Sequence, residues 1–187
     1  MSDETHGTIT QLLAEIVDGG KDAEDALFQL VYDEIHRSAV LMMGRERRDH
    51  TLQPTALVGE VYLKIFSKGT FSAPNRRYFF GAVARAMRQV LIDHSRKSRA
   101  QRVPLDDVLN WFRSEQRVDL LDLDGALKEL EKMHPRHYRV VMQKIFSGRT
   151  MDDIASDEKC STSTIEKDWA FARGWLRRRL EDKPDGN

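Results

Sequence analysis

Only one cysteine, Cys160, occurs among the 187 residues, so no internal disulfide framework can form, and the six histidines are scattered without the spacing of a zinc ligand set. A reducing compartment fits that usage. No run of about 18 consecutive apolar residues is present, and residues 1–7 are polar and acidic rather than a basic segment leading into an apolar one. Neither membrane insertion nor export is expected, and the expected location is cytoplasmic. Also missing are a glycine-rich phosphate loop, a Gly-x-Ser-x-Gly elbow and a metal-ligand cluster. Adjacent acids such as Asp106-Asp107 and Asp152-Asp153 read as solvated or helix N-terminal charges rather than as an acid and base pair. No catalytic residue, metal, cofactor or small-molecule substrate is therefore expected. Nor does any stretch alternate apolar and polar residues for long enough to make a strand.

What is present is a globular composition, 32% charged and 40% apolar, with eight Phe and three Trp to build cores. Divided between two domains of under about 90 residues each, such a core is only marginally stable alone, so a stabilising partner is expected. The formal net charge is zero, yet the charges are unevenly placed. Arg85, Arg88, Arg96, Lys97, Arg99 and Arg102 stand against the single acid Asp93. Arg173, Arg177, Arg178 and Arg179 crowd the end of the chain, and acids gather between these clusters at Asp106, Asp107, Glu115, Asp119, Asp122 and Asp124.

Helical spacing runs almost throughout, which predicts an all-α fold. Ile9, Leu12, Leu13, Ile16 and Val17 make one stripe that stops at Gly19-Gly20; Ala23, Ala26, Leu27, Leu30, Val31 and Ile35 make a second, with Asp22 as its N-cap. Pro54, whose fixed φ suits a first turn, opens a third helix to about Phe66. After a loop over 67–75 comes a long helix to about Ala100 with Phe79, Phe80, Val83, Met87, Val90 and Leu91 as its core stripe. Periodicity fails between Val103 and Asp119, where Pro104 intervenes and acids dominate. The predicted organisation is two small helical domains, 1–102 and 120–187, joined by a flexible acidic linker over 103–119. The second domain holds a helix with Leu123, Leu127, Leu130 and Met133, another with Val140, Val141 and Ile145 ending at Gly148, a short one opened by Thr150-x-x-Asp153 in the manner of a capping box, and a last one from Ser161 to about Glu181.

A short helix, a tight connection and a longer helix with an N-cap serine is the pattern of a helix-turn-helix, whose second helix presents its N-terminal residues to base edges in the major groove. Here those are Ser161, Thr162, Ser163, Glu166 and Lys167, with Arg173 and Arg177 placed for phosphates. Two ordinary surface helices with solvated polar faces would give the same local pattern.

Longer motifs discriminate. The run His50-Thr51-Leu52-Gln53-Pro54-Thr55-Ala56-Leu57-Val58-Gly59-Glu60-Val61-Tyr62-Leu63 resembles region 2.2 of extracytoplasmic-function (ECF) sigma factors, in the TLQPTALV-type variant. Tyr78-Phe79-Phe80-Gly81-Ala82-Val83-Ala84-Arg85-Ala86-Met87-Arg88 with Leu91-Ile92-Asp93-His94 resembles regions 2.3 and 2.4, and Ser161-x-x-Thr164-Ile165-x-x-Asp168-Trp169 through Trp175-Leu176 is similar to region 4.2. The resemblance implies a σ2-like four-helix domain and a σ4-like helix-turn-helix domain, acting as a sigma factor that lends promoter recognition to RNA polymerase. It implies core polymerase binding at the β′ clamp coiled coil through Gln53, Thr55, Glu60 and Leu63, and at the β flap. Minus-10 recognition and melting would fall to Arg76, Arg77, Tyr78, Arg85, Arg88, Arg96, Lys97 and Arg99, and minus-35 recognition to the helix opening at Ser161. An anti-sigma factor is a further partner the resemblance allows, and the linker acids suit either electrostatic mimicry of nucleic acid in the RNA channel or a plain solvated tether. The competing reading is a simple helix-turn-helix transcriptional regulator.

One stretch departs from the family pattern. Where the first helix of the motif usually continues with two apolar residues and a turn glycine, this chain has Asp157, Glu158 and Lys159. Charges at buried positions must be exposed by a local shift or find partners.

Overall fold

Amphipathic stripes with a cap or breaker at their ends do become helices along the chain. The computed structural model describes residues 3–43, 52–67, 71–98, 102–104 and 117–181. Helices α1 (Asp3–Val17), α2 (Lys21–Met43), α3 (Pro54–Phe66) and α4 (Arg76–Ser98) precede two short strands, β1 (Arg102–Pro104) and β2 (Arg117–Asp119). Helices α5 (Leu120–Met133), α6 (Pro135–Phe146), α7 (Met151–Glu158) and α8 (Thr162–Glu181) follow. The all-α class expected from the sequence holds. The strands are an addition to it: they pair antiparallel with Arg102 opposite Asp119, Val103 opposite Val118 and Pro104 opposite Arg117. Runs of three residues are too short to show a period of two, which is why the ladder was invisible in the sequence.

Starts and stops follow local chemistry. Pro54 occupies the first turn of α3 behind an extended Gln53, and Pro135 does the same for α6, where the missing N–H costs nothing. Gly19, at φ 89°, ends α1 in the left-handed region. Helix α2 continues past the expected Ile35 to bury Ala39, Met42 and Met43, and Asp22 lies inside its first turn rather than at the N-cap. Four expected core residues are exposed, among them Ala26 of α2. Val17 and Met133 are the last residues of α1 and α5, and Leu30 lies at the edge of the stripe formed by Leu27, Val31 and Ile35.

Helices α1 to α4 pack in sequence order, α1 on α2, α2 on α3 and α3 on α4. Helix α6 is the hub of the rest, touching α5, α7 and α8, and it also packs against α4 and α2. Buried apolar residues from both halves therefore join in one cluster, from Ile9 and Phe79 to Leu127 and Ile165. At about 25 cal/mol per Å² of apolar surface removed from water, this shared core is the main favourable term holding the halves together. Close approach is visible at Gly148, which has φ 67°; a Cβ there would lie 2.6 Å from the Glu34 carbonyl oxygen of α2.

Candidate nucleic-acid interface

The helix-turn-helix is built from α7 and α8. Thr150 caps α7 through a reciprocal box: its hydroxyl oxygen accepts from the Asp153 N–H at 3.1 Å, and the Thr150 N–H donates to Asp153 Oδ2 at 3.3 Å. Lys159 closes α7 in the left-handed conformation, φ 52° and ψ 47°, in the place where a glycine would be cheaper. Ser161 then caps α8, its Oγ accepting from the Thr164 N–H at 3.2 Å. Thr162 donates its hydroxyl to Asp152 at 2.7 Å, tying the start of α8 to α7. Ile165, Trp169, Ala172 and Leu176 are buried, as their spacing predicts. Asp168 accepts from Arg136 Nε at 2.6 Å, and Arg179 forms a two-pronged pair with Glu129 at 2.6 and 2.7 Å. The start of α8 is thereby fixed to α7, its first half to α6 and its last turn to α5.

That orientation brings the expected minus-35 group together on the outer side of α8. Ser161, Ser163, Glu166, Lys167 and Arg177 are exposed, Thr162 and Arg173 half-buried. Arg177 also pairs with Glu181 one turn on, at 2.8 Å. Phe171, 45% exposed, stands on the same helix with the His134 and His137 rings at 4.9 and 4.4 Å. Burial pushes the His137 pKa down, against the pull of Asp168.

The expected minus-10 group divides into two stripes of α4. Tyr78, Arg85 and Arg96 are exposed, and at 100° per residue they lie on one face. Arg76, Phe80 and Arg88 fall on another face, at multiples of four residues, and that face is turned toward α5, α6 and α7. Arg76, 4% exposed, donates from Nη2 to Asp153 Oδ1 at 3.0 Å and lies 3.5 Å from Asp157. Arg149, between α6 and α7 and fully buried, donates to Asp157 at 2.9 Å and rests on the Phe80 ring at 4.2 Å. Arg77 pairs with Glu158 at 3.1 Å. Arg88 donates to Asp124 Oδ1 at 2.9 and 2.6 Å and to the Tyr138 hydroxyl at 2.9 Å. Lys97 has only its backbone described, and Arg99 lies outside the described residues.

Electrostatics at this seam follow from burial and pairing. Burial by itself would raise the Asp153 pKa; hydrogen bonds from Thr150 and Arg76 and the charges of Arg149 and Arg76 outweigh it and hold the carboxyl well below the usual range. Asp124 is likewise lowered, by Lys128 and Arg88 against its burial. Glu34 of α2 goes the other way: burial raises it, and the Arg149 charge only partly offsets that. Burial lowers the Arg149 pKa against the nearby Asp157.

Of the expected polymerase-binding residues on α3, Gln53, Thr55 and Leu63 are exposed, Leu63 by 59%. Glu60 is half-buried and its carboxylate lies 2.9 Å from His94 Nε2 of α4, so it already has an internal partner. Among the linker acids, Asp106, Asp107 and Glu115 lie outside the described residues, whereas Asp122 and Asp124 belong to α5. Asp124 is thus a structural partner of Arg88 rather than part of a tether. The acids that meet α4, namely Asp124, Asp153, Asp157 and Glu158, were not recognised as partners in the sequence. The available signal was the pair of acids at 157 and 158 where apolar residues were expected.

A family model for ECF sigma factors matches residues 6–182. The chain belongs to the ECF sigma factor family. It is an RNA polymerase sigma factor, directing initiation at specific promoters by binding core polymerase and recognising minus-10 and minus-35 elements, and the reading as a simple helix-turn-helix regulator falls away. Sigma factors act with RNA polymerase in the cytoplasm. Among the described residues of this sigma factor, no helix is long and apolar enough to cross a membrane. A search of the curated proteins found no match to the chain.

Proposed function

We propose that this sigma factor, of the TLQPTALV-type subfamily, reads the minus-35 element with the N-terminal end of α8 and the minus-10 element with α4. In this reading residues 1–102 and 120–187 are the two functional units. The observation that carries the proposal is the exposure of Ser161, Ser163, Glu166 and Lys167 beside a capped helix start, while Ile165 and Trp169 anchor the opposite face. Glu166 accepts from a cytosine amino group, Lys167 donates to guanine or phosphate, and Arg173 and Arg177 meet backbone phosphates. On α4, Tyr78 is placed to stack against an extruded base and the arginines to hold phosphates.

Core polymerase docks on the open side of α3 in the same proposal, with Leu63 as the apolar anchor near its C-terminal end and Gln53 and Thr55 at its N-terminal end, against the β′ clamp coiled coil. The α5 to α8 unit meets the β flap, and an anti-sigma factor is a candidate regulator. No residue is assigned a catalytic role. The test is selection from a randomised minus-35 region with holoenzyme. Glu166→Ala should relax preference at one or two adjacent positions, losing about 1–3 kcal/mol of discrimination. Arg173→Ala should weaken all sequences alike. Recovery of an unchanged motif with Glu166→Ala would remove α8's assigned reading face.

A further inference from the structure

The hydroxyls grouped at the start of α8 are not all available to a base. Ser161 Oγ accepts from the Thr164 N–H at 3.2 Å and lies 2.8 Å from the Thr164 hydroxyl, so it is engaged in its own cap. Thr162 donates its hydroxyl to Asp152 Oδ1 at 2.7 Å, across ten positions of sequence. The adjacent acids in the first turn of α7 are therefore divided in their work. Asp153 is buried and turned to Thr150 and to Arg76 of α4. Asp152 is exposed and turned to α8. Beyond these engaged groups, Ser163, Glu166 and Lys167 stand exposed.

We infer that Asp152 is a positioning residue for promoter reading: through the Thr162 hydroxyl it sets the angle at which the first turn of α8 meets base edges, and Thr162 is a strut rather than a reader. The inference rests on the assignment of α8 to the minus-35 element. Three observations carry it. The connection from α7 to α8 is only Lys159, Cys160 and Ser161, and Lys159 holds φ 52° with a side chain in place. A non-glycine residue in the left-handed region is strained and keeps that conformation only where its surroundings over-determine it; the Asp152 tie bridges that turn. Next, Arg136 holds Asp168 and Glu129 holds Arg179, which fixes the middle and the end of α8. The start is then the part that swings when Asp152 lets go. Thr162 and Glu166 are four residues apart on one stripe of the helix, so a swing at Thr162 carries the Glu166 carboxylate with it. Last, an exposed carboxylate beside a face that meets phosphates opposes binding by its charge. What Asp152 supplies against that is an acceptor for Thr162.

The test uses holoenzyme on a randomised minus-35 region, together with the ratio of its affinities for the selected motif and for single-base mismatches. Asp152→Ala and Thr162→Val each remove the hydrogen bond. Both should flatten preference at the adjacent positions read by Ser163 and Glu166, by about fivefold or more per position. Combined, they should do no more than either alone, as two ends of one contact. Asp152→Asn keeps the acceptor and removes the charge, so it should retain the parent motif while binding all sequences more tightly. One exposed hydrogen bond adds little to folding, so the melting temperature of each variant should fall by no more than about 4 °C. A role in folding alone would lower the melting temperature and leave the mismatch ratio at its parent value, and that result overturns the inference. So does a Thr162→Val variant that shifts preference at one base pair while Asp152→Ala leaves the motif intact, because Thr162 is then a reader. Glu166→Ala, run alongside, separates the two levels. If it returns the parent motif, α8 is not the reader and the role of Asp152 falls with it; if it relaxes the motif while Asp152→Ala does not, the strut alone is overturned.

Discussion

Single residues carry part of the stability in ways that can be changed cleanly. Gly174 lies in the solvent-facing part of α8, and a Cβ built there meets nothing within 4 Å. Its backbone entropy is therefore a cost with no compensating contact. Gly174→Ala should stabilise the protein by about 1 kcal/mol, a rise of roughly 2–4 °C in Tm for a chain of this size, measurable by thermal melting. Gly148 is the opposite case. Its positive φ and its closeness to the Glu34 carbonyl both require the missing side chain, because any Cβ would push α2 away from the turn after α6. Lys159 shows that a left-handed C-cap tolerates a side chain when the two helices on either side are fixed, here by the Thr150 box and the Ser161 cap.

Among the elements, α7 concentrates the pH dependence. Asp153 faces Arg76, Arg149 and Thr150, with Glu34 of α2 and Lys144 of α6 nearby. Its folded pKa is depressed, so its contribution is fully present above the ordinary aspartate value near 4 and is lost as pH falls below it. Glu34 has a raised pKa, so the sign reverses: stability is present below its ordinary value and is lost as pH rises through the folded one. Glu34→Gln should accordingly raise Tm at pH 7 and leave it nearly unchanged at pH 4, a comparison that melting curves at the two pH values make directly. The elements were legible to differing degrees. Helix α3 was delimited correctly because Pro54 marks its start, and α8's buried stripe because Ile165, Trp169, Ala172 and Leu176 repeat at helical spacing. The stretch of α2 beyond Ile35 went unread because the polar Ser38 interrupts the apolar pattern, and only the structure shows its hydroxyl donating to the Ile145 carbonyl of α6. Pairing across 77 or 36 positions, as in Arg76 with Asp153 and Arg88 with Asp124, has no local signature at all.

At the scale of the whole molecule, the shared core predicts how it comes apart. Since α4 and α6 contribute to one buried cluster, the free chain should unfold in a single calorimetric transition, with calorimetric and van't Hoff enthalpies in agreement. Two resolved transitions in the parent would contradict that coupling. The β1 and β2 ladder adds a question of reach. While it is zipped, Arg102 and Asp119 are neighbours across strands about 5 Å apart. Drawn out, the 17 steps of chain between them span at most about 60 Å. Parting the ladder therefore multiplies the distance that the two halves of this sigma factor can span. Six residues of backbone pairing therefore act as a length catch, setting how far the end of α4 and the start of α5 can part.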